Sequence, residues 1–418
     1  MKYSYRYSLL LIFLTIGTAV WAQNNTSPYS IIGIGDIESS YFDRSAGMAD
    51  AGLSLSSGKF QFHANPASYS RLDDHFFSVE LSGRFKTVSY KGSPVAGGVD
   101  NSADMQMEKL ALAIKVKPWW GVGFGLAPYS SSNYSFTSKK AIEGSPENQF
   151  LDAKYTGTGG LHKAYLANSF RPFKNFSVGV EMSYLWGSLS QEEVLDASSV
   201  TGTVLDTKRD YYLNKLYFKY GLLYNVKLSK KLGLSLGATV ANKTRLNADY
   251  DLTVTEGAAT IIQDSTYKNG FFTIPLTYAF GGSLNYDNKF TLAVDYQTQN
   301  WDDLNYKGLG YSLVNSNRLA AGFEYSDKLN NIFERYYLQA GYYYANTYLQ
   351  INNNQLKDRG FTLGAGLNSK RSQLSYQLNL QLGSRGTTQN GLLKENYTQV
   401  SLSLIYRDFW RTKAKTYF

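Results

Sequence analysis

Three histidines, His63, His75 and His162, are the only side chains in the 418 residues that titrate near neutrality without help. None stands in a pattern that assembles a nucleophile or a metal. G-x-S-x-G and H-E-x-x-H are absent. His162, among Ser and Gly residues, is the one position where a serine–histidine pair could form across strands. Cysteine is absent, which excludes disulfides, thiolate catalysis and cysteine metal sites. Asp302 and Asp303 in NWDDLN (300–305) could hold a cation in a loop, and they read equally as solvated loop residues. Phosphate-cradling glycine signatures need a strand–loop–helix context that the chain lacks. The formal charge of +9 falls to +9 − 2 = +7 without Lys2 and Arg6, and no basic cluster accompanies a nucleic-acid fold signature. The reading is a non-enzyme with no catalytic residues, no metal site, no cofactor and no nucleic-acid partner.

The remaining charges are more informative, because strands must position them. Glu80, Arg84, Lys109, Lys115, Glu181, Lys219, Lys227, Asp295, Glu324 and Arg407 each fall on the polar side of a period-two run. In FFSVELSGRFKTV, Phe77, Val79, Leu81 and Phe85 alternate with Ser78, Glu80, Ser82, Arg84 and Lys86. FSVGVEMSYLWG, FTLAVDYQTQ and QLSYQLNLQLG repeat the pattern, which a helix would not keep. Short connections at 117–120, 173–176, 228–233, 286–290, 326–331 and 369–373 alternate with longer polar stretches such as 131–160, 190–212 and 249–270. Short periplasmic turns and long outer loops mark outer-membrane barrels. Six short turns separate seven hairpins, which predicts an all-β, transmembrane, fourteen-stranded antiparallel β-barrel. Tyr is abundant (35), and no stretch after residue 22 is long and apolar enough for a membrane helix. Trp119, Trp120, Phe173, Phe176 and Trp410 are expected in a periplasmic aromatic girdle, and Trp301 near the outer interface. A soluble sandwich would also alternate, but its strands would be shorter.

Residues 1–22 read as a signal peptide: Lys2 and Arg6, the apolar run LLLIFLTIGTAV, then Val20 and Ala22 before cleavage after Ala22. Residues 23–73 then read as a plug, 74–410 as the barrel and 411–418 as a basic periplasmic tail. The plug carries Asp36, Glu38, Asp43, Arg44 and Asp50, which could pair with the inward charges of the wall. It holds a Gly/Ala-rich stretch with Gly47, Ala49, Ala51 and Gly52, then FHANPASYS (62–70) just before the first strand. With GVGFGLAPYSSSNYSF (121–136), the segments 155–187 and 274–301, and RGFTLGAGLN (359–368), these features resemble the FadL/TodX family of outer-membrane channels, in a divergent Bacteroidota branch.

The resemblance implies an N-terminal hatch in the lumen, with Asn65, Pro66 and Ala67 as its motif. As residues alone, the three are sufficient for a lumenal turn. The family's lateral exit at a kinked third strand falls on Gly121, Gly123, Gly125 and Pro128. Those glycines could equally clear lumen space. Ile31, Ile32, Phe60 and Phe62 are the expected hatch contacts with cargo. The function implied is passive uptake of fatty-acid-like hydrophobic small molecules across the outer membrane of a Gram-negative bacterium. The alternative is a membrane-embedded accessory subunit of an outer-membrane protein secretion or assembly complex. Partners are therefore outer-membrane lipid, hydrophobic cargo or other proteins.

Overall fold

The computed structural model describes residues 27–92, 101–141, 150–198, 202–308, 310–329, 333–369 and 373–410. The signal peptide with its cleavage site, the basic tail and two turn cations, Lys370 and Arg371, lie outside them. The alternating runs become fourteen long antiparallel strands. They are β1 (Phe76–Gly92), β2 (Asn101–Lys117), β3 (Trp120–Ser131, resuming at Tyr134–Ala141), β4 (Phe150–Phe173), β5 (Phe176–Asp196), β6 (Val204–Lys227) and β7 (Leu232–Ala241, then Thr244–Glu256). There follow β8 (Ala259–Ile274, then Thr277–Tyr286), β9 (Phe290–Gln299), β10 (Ser316–Leu329), β11 (Phe333–Ile351), β12 (Asn354–Asn368), β13 (Leu374–Gly386) and β14 (Leu393–Phe409). Each pairs with its sequence neighbours, and β1 closes on β14 from Phe76↔Phe409 to Gly92↔Leu393. Closure joins the two terminal strands, so neither is left as a free edge in hydrocarbon.

The two faces divide as the period predicts. Leu81, Phe85, Leu112, Phe124, Leu166, Leu222, Leu292, Leu338 and Leu402 project outward as an apolar band. Trp119, Trp120 and Phe170 stack at the short-turn end, and Phe173 and Trp410 are exposed there. One tight turn at that end uses Asp287 and Asn288 with φ of 53° and 54°, a conformation that these residue types tolerate better than most.

Three expectations are corrected. The stretches 131–160, 190–212 and 249–270 are largely strand, and the connections at 257–258 and 352–353 are two-residue turns. Pairing propagates beyond the membrane, where no apolar band is needed to mark it, so polarity alone was misread as loop. Lys227, at the end of β6, is exposed and not in the lumen. Trp301 is not an interface residue. The β9–β10 connection folds over the mouth, and the indole is 0% exposed, stacked on Tyr348 at 4.7 Å with its Nε1 donating to Gln299.

Inside, residues 27–75 run from the outer mouth to the short-turn end. Tyr29 and Ile34 join Trp301, Phe272, Leu189, Tyr250 and others in an apolar cluster that closes the mouth. Met48, Ala49, Phe60 and Phe62 form a second cluster against Ala293, Ala320 and Tyr337. The chain then enters the wall at His75, whose φ of 60° makes the sharp bend. Trp301→Ala should cost about 3–5 kcal/mol, the range for a large buried aromatic. Urea unfolding of the bilayer-reconstituted barrel measures it.

Candidate functional site in the lumen

The turn that ends the lumenal segment is built by its own sequence. Asn65 caps a short 3-10 helix, Pro66–Arg71, by accepting from the Ala67 N–H at 3.0 Å, and Pro66 supplies the fixed φ of its first residue. The Asn65 amide also donates to Leu53 O at 2.9 Å and to Leu222 O on β6 at 2.8 Å. It therefore ties two parts of the segment to the wall. The wall makes room with glycines. A Cβ on Gly221 would lie 2.1 Å from Asn65 Oδ1, and one on Gly179 would lie 2.4 Å from Ala67 N. Asn65, Pro66 and Ala67 are all buried.

Charges fasten the rest of the segment. Arg44 makes paired hydrogen bonds to Glu324 (2.7 and 2.9 Å) and to Glu334 (2.8 and 2.9 Å). Its guanidinium lies 4.3 Å from the Phe60 ring and 4.0 Å from that of Tyr337. Asp36 takes both ends of the Arg385 fork at 2.7 and 2.9 Å, and Glu38 meets Arg84 at 3.1 Å. Asp295 accepts from Leu53 N–H at 2.8 Å, and Arg407 donates to Lys59 O at 3.1 Å. Asp43 and Asp50 stay within the segment: Asp43 accepts from the His63 N–H and Asp50 from the Tyr41 N–H. Such planar forks give geometry as well as attraction in a site shielded from water.

His63 sits where three of these groups meet. Its Nδ1 is 2.8 Å from the Tyr69 hydroxyl and 3.0 Å from that of Tyr165. Its Nε2 is 3.5 Å from Glu80, which also holds Lys109 at 2.8 Å. Burial, then the Lys109 charge, holds the imidazole below its ordinary pKa despite Glu80. His63 is thus a positioning group between segment and wall. His162 is exposed on the outer face beside Trp186, with ring centroids 6.0 Å apart. Asp302 exchanges hydrogen bonds with Asn315, as a loop residue does.

The third strand parts from the second. β2 pairs with β1 along Asn101–Ile114, yet with β3 only from Leu110↔Leu126 to Lys117↔Trp120. Beyond Leu126, β3 keeps β4 alone in the wall, with Pro128↔His162 and a bulge between Pro128 and Ser130. Inside, Asp36 and Ile37 pair with Ser131 and Ser130. Gly121 and Gly123 do not form this seam. A Cβ on either would strike Tyr69 at 2.1–2.3 Å, and one on Gly125 would strike Tyr165 at 2.5 Å. They clear space for the lumenal turn, below the seam. Behind the seam, Arg84 faces Glu108 at 2.7 Å and Asp104 at 3.6 Å.

The four expected cargo contacts are not brought together. Ile32 packs on the mouth cluster, Phe60 and Phe62 belong to the second cluster, and Ile31 is half-buried. Between segment and wall lies a cavity of about 320 Å³, lined by Lys163, Glu181, Arg318, Asp358 and Arg385 and by apolar residues such as Ile37 and Ile274. Asp358, Arg385 and Glu395 were missed from sequence. Carrying the inward parity of Gln377, Asn379 and Gln381 four residues further along β13 reaches Arg385.

Arg44→Ala strips two buried carboxylates of their counter-charge. A loss of about 3–5 kcal/mol in urea unfolding is expected. His63 predicts a pH effect. Its folded pKa lies below the unfolded value of about 6.5, so the unfolded chain binds more protons below that pH. Stability therefore falls as pH drops through this window. Hydrogen exchange of peptides covering 61–70 should quicken from pH 7.5 to 5.5, beyond the intrinsic rate change, and His63→Gln should flatten the response.

The chain matches the model of the BamG family over residues 5–416. Among curated proteins none matches. Several solved outer-membrane channels share its fold. A toluene transporter of P. putida, TodX, is 17% identical with a TM-score of 0.59, covering 92% of this chain and 100% of its own. A FadL homologue of Pseudomonas aeruginosa is 14% identical with a TM-score of 0.62, over 91% and 100%. The CymD monoaromatic hydrocarbon channel is 16% identical with a TM-score of 0.57, over 92% and 99%. Closed wall and lumenal segment give this β-barrel the fold of the FadL-type channels, and the family match over nearly the whole length shows that the chain belongs to the BamG family.

Proposed function

We propose that this barrel serves as a membrane-embedded accessory subunit of an outer-membrane protein assembly or secretion complex, with residues 23–73 a fixed filler and not a moving hatch. Export by residues 1–22, with cleavage after Ala22, and a wall spanning 74–410 ahead of a periplasmic tail at 411–418 belong to the same reading. The observation that carries it is the lining of the lumenal cavity. At about 320 Å³ it sets the charged groups of Asp36, Arg84, Glu181, Arg318, Asp358 and Arg385 among its apolar ones. An alkyl or aromatic cargo entering it would desolvate those groups without pairing them, which costs free energy at each one. Opening a path would also break the Arg44–Glu324, Arg44–Glu334 and Asp36–Arg385 contacts.

The seam beyond Leu126 favours a second reading, passive uptake of fatty-acid-like or other hydrophobic molecules, as the names of the TodX and CymD channels say of those proteins. Here Asn65, Pro66 and Ala67 would be the fixed point of a hatch, and cargo would leave near Pro128. Ile37 and Ser130 face each other across a strand bridge, and the chain has no native cysteine. An Ile37→Cys/Ser130→Cys pair can therefore lock the segment with one clean disulfide. Expected for the subunit role are co-purification of outer-membrane proteins after gentle extraction, with or without the lock, and no toluene or fatty-acid flux into proteoliposomes. Flux that stops on oxidation and returns on reduction would sink the subunit reading and establish the channel.

A further inference from the structure

A groove of about 1130 Å³ lies outside the lumen, on the outward face of β12, β13, β14, β1 and β2. Strand register arranges the groove and its flanks in rows. Two rows line it: Phe361, Leu382, Thr398, Thr87 and Ala103, and above them Arg359, Ser384, Asn396, Ser89 and Asn101. The flank below is apolar, with Leu363, Leu380, Val400, Phe85 and Met105, and the flank above places Lys394 beside Lys91. Small side chains in the middle of each row make the concavity, and Phe361, packed on Tyr342 at 4.8 Å, makes one bank.

The charges here are of one sign. The side chains of Arg359, Lys394 and Lys91 make no hydrogen bond or ion pair with any described residue. Among the described residues, no acidic side chain faces outward in these rows. Asp358 and Glu395, one position away, point inward, where Asp358 accepts from Tyr397 and Glu395 from Ser27. Rows lie two residues apart, so the wall passes from aliphatic to cationic within about 20 Å along the strand. That span matches the passage from acyl chain to headgroup, and the long-strand end of the barrel faces the outer leaflet. A wall meeting only neutral headgroups would gain nothing from three cations that no described side chain pairs. An anionic headgroup is attracted by each of them.

We propose that this groove binds a phosphate-bearing lipid of the outer leaflet, its headgroup on Arg359, Lys394 and Lys91 and its acyl chains over Phe361, Leu382 and Phe85. The site is independent of whether the barrel is a subunit or a channel.

The test uses the full mature protein in mild detergent, titrated with bis-phosphorylated lipid A and followed by native mass spectrometry. Phosphatidylcholine serves as the neutral comparison and inorganic phosphate as competitor. Arg359→Gln/Lys394→Gln/Lys91→Gln should weaken lipid A binding at least about tenfold while leaving phosphatidylcholine unchanged. Thr398→Trp, which fills the notch and keeps every cation, should weaken it too. Both changes face away from the lumen, and an unchanged heat-modifiable gel shift verifies the fold. Lipid A binding by the triple variant within twofold of wild type overturns the proposal. So does equal wild-type affinity for phosphatidylcholine, or displacement of lipid A by millimolar phosphate alone. Loss of a co-purifying protein from the triple variant with unchanged lipid A binding overturns it in favour of a protein docking face.

Discussion

The lumen of a fourteen-stranded wall is too wide for wall side chains to fill, and every polar group left inside it must find a partner. That constraint governs the interior. The segment from Ser27 to His75 supplies both volume and counter-charge, placing Asp36, Glu38 and Arg44 opposite Arg385, Arg84 and the Glu324–Glu334 pair. Segment and wall are thus halves of one electrostatic arrangement, and neither is satisfied without the other. Burying so many ions contributes less to stability than apolar packing of the same volume would, but it defines one register for the segment.

Fold class was legible because membrane and lumen impose opposite demands on alternate residues. Phe77, Val79 and Leu81 against Ser78, Glu80 and Ser82 record both solvents at once. Above the membrane the outer solvent becomes water, the contrast vanishes, and Val204–Tyr212 reads as loop although it is paired along its length. Trp301 misled for a related reason. An indole is suited to an interface, but equally to any site offering an apolar bed and one acceptor, and Tyr348 with Gln299 provide both.

The interior was legible as a set of charges and not as pairs. Glu80, Arg84, Lys109, Glu181, Asp295, Glu324 and Arg407 all occupy the inner face. Which acid meets which base depends on the path of a segment with almost no regular structure, and irregular backbone leaves no period to read. The glycines of β3 carry the same lesson. Gly121 and Gly123 advertise an irregular strand, but what they record is the close passage of Tyr69. The parting of β2 from β3 begins above them and has Pro128 as its nearest sequence mark.

The ladder joining Phe76 to Phe409 and Gly92 to Leu393 has a temporal meaning. It joins the first strand of the wall to the last, the longest sequence separation of any strand pairing here, so the cylinder stays open until the C-terminal strand exists. The lumenal segment meets that last strand through Lys59 on Arg407 and Ser27 on Glu395, so its contacts are complete only when β14 is in place. The earliest-made part of the barrel domain is thus the part enclosed last, and any factor that delays β14 would hold the interior open to water with its ions half-matched.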